Sequence, residues 1–209
     1  MNDRFFQTLL MASTLGLSWL GMMAIHELGH MAHLWLSGGT VEYVILRPLA
    51  ISYTHPGTNP HPLFVAAGGV VWGCILPLLL NLAVRVAFPS KAYLARFFAG
   101  FCLVANGAYL AGDAIFQGGD GRQLVQHGAP SWFLIAMGLP AVAVGLWLWH
   151  GLGPRFGLGS RQHRVNRRDA IALALAILLL AGLEFALSPP AASLFSLRAN
   201  RSNEEGPDP

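Results

Sequence analysis

Long apolar runs separated by short polar stretches organise the 209-residue chain. A polar lead at 1–4 gives way to an apolar run over 5–36, and further runs occupy 63–88, 92–116, 132–149 and 170–187. Each is long enough to cross a hydrocarbon core about 30 Å thick at about 1.5 Å per helical residue. The first, at about 48 Å if straight, must tilt, bend or protrude. Between the first two runs, Gly38-Gly39 ends a helix. Residues 41–53 (VEYVILRPLAISY) follow, rich in β-branched and aromatic side chains, and predict one or two short strands interrupted at Pro48. Residues 54–62 form a turn-rich loop, 117–130 a glycine-rich connection and 151–168 a basic loop. The expected architecture is an all-α polytopic membrane protein of about five transmembrane helices, with a short strand segment between the first two. Residues 1–190 make one bundle, and 191–209 are expected to be a polar, disordered tail.

Composition supports that reading. The chain is 54% hydrophobic and only 11% charged, about half the charge of a soluble domain, with a mean hydropathy of +0.51. The net charge of +3 comes without a basic helix or an aromatic-and-basic platform, so nucleic acid is not an expected partner and anionic lipid headgroups are. Cys74 and Cys102 both fall in apolar runs and read as small buried residues. The first run is too long for a cleavable leader and lacks a small-residue cleavage site, so it is expected to stay in the membrane.

The chemistry sits in the first run, at His26-Glu27-Leu28-Gly29-His30. Four residues advance a helix by about one turn, so His26 and His30 share a face and can grip one Zn²⁺, with Glu27 placed to take a proton from water. Shuffling this composition produces HExxH in about one chain in a hundred, so the motif carries information. Ionisable groups at membrane depth are costly and by default functional. His33 lies about 10 Å from His26 along the helix axis, too far to share an ion, and reads as interfacial. His55 and His61 in the following loop read as solvated, and Glu42 and Arg47 as surface groups or substrate contacts. Small residues at 66–69 and Gly73 let another helix approach the second run closely.

A catalytic zinc takes three protein ligands, so one more is required. Five spans sort the basic residues onto two sides. Arg4, Arg85, Lys91, Arg96 and the five arginines of 151–168 lie on one, and Arg47, Arg122, Arg198 and Arg201 on the other, which places the N-terminus in the cytoplasm. The C-terminal ends of spans one, three and five then emerge together. They bring Asp113, Asp120 and Glu184 to the depth of the histidines. Asp120 is favoured because Gly118, Gly119 and Gly121 let the backbone carry a short carboxylate to the metal. Asp113 is the alternative third ligand and Glu184 ranks below both; a carboxylate left over can orient a histidine.

HELGH on a first membrane helix, a strand-like segment, a glycine-rich start to the next span and Asp120-Gly121 after the Asn106-containing span together resemble the site-2 protease family of intramembrane zinc metalloproteases. The resemblance covers about residues 20 to 125. It implies that His26, His30 and Asp120 bind zinc and that Glu27 activates water. Two departures accompany it. The family's proline-containing stretch between Asn and Asp is absent from NGAYLAGDAIFQGGDG, and the charge count puts the HExxH end outside, where better-known members place it toward the cytoplasm. The expected activity is hydrolysis of peptide bonds in or near transmembrane segments of a membrane-protein substrate, in the cell (inner) membrane. Substrate choice rests with the bundle, an adaptor or an oligomer. Two other readings are a non-catalytic metalloprotease-like scaffold and, ranked lower, a small transporter or haem-binding protein.

Overall fold

A computed structural model describes residues 3–159 and 165–188. Its helices are α1 (Asp3–Leu36), α2 (Pro62–Ala87), α3 (Ala92–Phe116), α4 (Gly119–Gln126), α5 (Ser131–Trp149) and α6 (Arg167–Leu187), with strands β1 (Val41–Ile45) and β2 (Tyr53–Pro56) between α1 and α2. Five of the helices, all but α4, are long and apolar enough to cross a membrane. The protein is thus an all-α polytopic bundle with a two-stranded antiparallel hairpin, as the hydropathy pattern predicts. The tail expected at 191–209 lies outside the described residues.

Three local expectations are corrected. The 117–130 connection contains α4, whose Leu124 is buried against Ala66, Leu110, Ala114 and Leu134. Tertiary packing of that one side chain overrides a glycine-rich, polar composition. The second strand begins where the expected strand segment ends. It takes in Thr54, His55 and Pro56, paired with Val44, Tyr43 and Val41. Backbone bonds from Gly57 to Thr40 O (2.9 Å) and from Thr40 to Thr58 O (3.1 Å) continue that pairing into sequence that looks like turn. Finally, α6 starts at Arg167 rather than 170, because Asn166 Oδ1 accepts from the backbone nitrogens of Arg168 (3.0 Å) and Asp169 (3.4 Å) and caps the helix.

Close backbone approach sets the helix packing. Gly107 and Gly138 face each other across α3 and α5, as do Gly100 and Gly145, so a Cβ at any of the four would meet the opposite backbone. Gly29 of the HELGH motif meets Gly68 of α2 in the same way. The small residues of α2 therefore accommodate α1. At the other end of the bundle, Lys91 and Tyr93 at the start of α3 bind Asp169 at the start of α6. Arg167 reaches Asp3 of α1 at 2.7 Å. Helices α1, α3 and α6 consequently run in the same direction and end on the same side.

Candidate metal centre

Two turns of α1 present His26 and His30 to a cavity of about 400 Å³, whose lining also includes Glu27, Asn106, Tyr109 and Asp120. His26 Nε2 and His30 Nε2 lie 3.1 Å apart, and Asp120 Oδ2 is 2.9 Å from the first and 3.1 Å from the second. Gly69 of α2 clears the space, since a Cβ there would run into both Nε2 atoms. Of the three carboxylates weighed from sequence, Asp120 alone joins the histidines among the described residues.

Neighbouring groups fix which ring nitrogens face the cluster. His30 Nδ1 lies 2.8 Å from Val65 O, a carbonyl that can only accept, so Nδ1 carries the proton there. Asn106 Nδ2 donates to Cys102 O at 2.9 Å, which turns Asn106 Oδ1 toward His26 Nδ1 at 2.7 Å and makes that nitrogen a donor too. In their neutral forms both rings then aim an Nε2 lone pair at Asp120. Two lone pairs and a carboxylate oxygen within about 3 Å repel one another unless they share a positive charge. A tetrahedral Zn²⁺ with bonds of 2.0–2.1 Å would separate its ligands by about 3.3 Å, so spacing and donor chemistry both fit that ion. Burial alone would raise the Asp120 carboxyl pKa; in the absence of a metal, a proton on the facing imidazoles, donated from Nε2, more than offsets this and holds it well below the usual carboxylate range. The group is an anion available for ligation.

Asp113 has a different task. Its Oδ2 accepts from Gly121 N at 3.3 Å, bracing the turn in which Gln117 takes a left-handed conformation (φ 57°) and Gly119 a positive φ of 40°. That turn ends α3 and aims α4, with Asp120 in its first turn, back at α1. The glycines matter for the turn as well as for the approach of Asp120.

Glu27 is buried, and both of its oxygens accept hydroxyl hydrogen bonds, from Ser52 (2.8 Å) and Thr54 (2.6 Å). Sequence reasoning assigned no role to these two residues or to Asn106 as the partner of His26. The available signal was the alternation of hydroxyl side chains at 52 and 54, which puts both on one face of a strand. His33 is buried against α2, with Nδ1 2.6 Å from Phe64 O and its ring stacked on Phe64. His55, expected in solvent, stacks on Tyr43 and lies 3.4 Å from Glu42. Glu184 is buried in α6 outside the cluster.

Comparison with protein-family models, with curated proteins and with solved structures returned no match.

Proposed function

We propose that the protein is a membrane-embedded zinc metalloendopeptidase that hydrolyses peptide bonds in or near transmembrane segments, and that it resides in the cell (inner) membrane with its N-terminus in the cytoplasm. One observation carries this reading. Three ligand-capable atoms from α1 and α4 converge within about 3 Å, in a cavity that also holds the glutamate of the same HExxH motif. His26, His30 and Asp120 would hold the ion, and three protein ligands is the count of a catalytic rather than a structural site. The Lewis acidity that zinc would supply there is the kind that lowers the pKa of water and polarises a carbonyl. Glu27 accepts the proton of the attacking water and delivers it to the leaving amine. Asn106 and Val65 O hold the histidine rings in the tautomer that ligates.

The rest of the cavity fits an apolar segment. Trp19, Met22 and Met23 continue the histidine-bearing stripe of α1 toward the middle of the helix. A substrate helix must unwind locally before its carbonyls become available, because they are otherwise hydrogen-bonded within the helix.

The test pairs metal analysis with cleavage of a reporter transmembrane segment. Purified wild type and Glu27→Gln should each carry one zinc per chain, while His26→Ala carries none, and only wild type should cleave. A metal-free or iron-loaded wild type, or equal cleavage by Glu27→Gln, would overturn the proposal.

A further inference from the structure

Polar contacts tie the hairpin both to the end of α6 and to α1. At one, Ser188 at the end of α6 grips Leu46 just beyond β1, its Oγ accepting from Leu46 N at 2.8 Å and donating to Leu46 O at 2.9 Å. At the other, Ser52 and Thr54 donate to the two carboxylate oxygens of Glu27. All three of these residues are buried, with exposures of 6%, 8% and 4% for Ser52, Thr54 and Glu27. Each hydroxyl has one proton to give, and each gives it to Glu27. Ser52 immediately precedes β2 and Thr54 lies within it, and both are buried while the intervening Tyr53 is exposed.

We propose that Ser52 and Thr54 are positioning residues for the base, and that through them the hairpin sets the direction in which Glu27 presents its remaining lone pairs. The inference rests on the protease reading above. Glu27 has three rotatable side-chain bonds and, between α1 and the hairpin, no cationic partner among the described residues. Two hydroxyl donors, one to each oxygen, fix the carboxylate plane as a single donor could not. Each oxygen keeps a second lone pair free, so the arrangement orients the base without occupying it. A buried carboxylate without donors would also be unfavourable. The donors therefore satisfy the buried carboxylate and fix its orientation, and any shift of the hairpin moves the base with it.

The experiment uses the full chain in lipid nanodiscs and two readouts. In steady-state cleavage of the reporter segment, Thr54→Val, which keeps the shape and removes the donor, should lower kcat about tenfold, and Ser52→Ala/Thr54→Val about a hundredfold, the scale of loss from a misplaced reacting group. KM and zinc content should stay at wild-type values, and Thr54→Ser, which restores a hydroxyl, should recover most of the rate. Ser52→Ala alone gives the same test should the valine variant not fold. The second readout is melting of the metal-free protein in a cycle of Thr54→Val, Glu27→Leu and the double variant. The shifts should be non-additive because the two side chains share a bond. Wild-type kcat in Ser52→Ala/Thr54→Val, a Thr54→Ser enzyme as slow as Thr54→Val, or additive melting shifts would each overturn the proposal. Non-additive melting with no cleavage by wild type would instead overturn the protease reading while leaving the hairpin's hold on Glu27 in place.

Discussion

The two ends of the bundle both bury ionisable groups, and they do so in opposite ways. At the end where α3 and α6 begin, the polar contacts among the described residues join donors to acceptors. Lys91 and Tyr93 meet Asp169, and the side-chain amide of Gln7 donates to Phe156 O at 3.1 Å and Gly157 O at 2.8 Å. Around them pack Phe6, Leu10, Leu152 and Phe156. At the other end His26, His30 and Asp120 bring three acceptors together, after each imidazole has given its proton to Asn106 or Val65. The first arrangement is complete as it stands. The second gathers acceptors that need a shared positive charge, which the proposed zinc would supply, and that asymmetry distinguishes the two ends more sharply than burial does.

The comparison breaks most readily at Asp120. Asp120→Ala should abolish stoichiometric zinc binding and cleavage together and remove the rise in melting temperature that zinc gives the wild type. Zinc bound at wild-type stoichiometry in this variant would mean that the convergence of acceptors is incidental. A smaller effect is expected one layer out. Asn106→Ala leaves all three ligands but frees His26 to take either tautomer and to turn, so zinc affinity should fall about 10–100-fold, as competition with a chelator would measure. If affinity were unchanged, the amide would be filling space beside Gly73 and not orienting the ring.

Much of this contrast was legible in the sequence, for definable reasons. The spans follow from hydropathy, because a membrane-crossing helix must be apolar along a fixed length regardless of its neighbours. His26 and His30 follow from helical periodicity, again a local property. The choice of Asp120 over Asp113 depends on where α3 stops, which is set by Gln117 in a left-handed conformation and by a short helix held through Leu124. Neither is encoded by composition, so only the preference for a glycine-flanked carboxylate was available. The alternating hydroxyls of Ser52 and Thr54 could not be assigned a role for a related reason. Their role requires the register of β2 over α1, and the residues that set it read locally as a turn.

Asp169 offers the finest test, because the comparison assigns it to structure alone. It is 6% exposed, its backbone N–H donates to the capping Asn166, and its carboxylate accepts from Lys91 and Tyr93. Removing one partner of a fully buried pair costs about 3–5 kcal/mol, but the Lys91 side chain is 43% exposed and regains solvent when released. A loss of about 2 kcal/mol is therefore expected for Asp169→Ala, or a fall in melting temperature of roughly 4–8 °C for a chain of this size. The fall should be equal in zinc-loaded and metal-free protein, with zinc content and KM unchanged. Should Asp169→Ala release zinc, the two ends would be coupled through the parallel helices α1, α3 and α6, and the division between a self-sufficient end and a cation-dependent one would have to be redrawn along those helices.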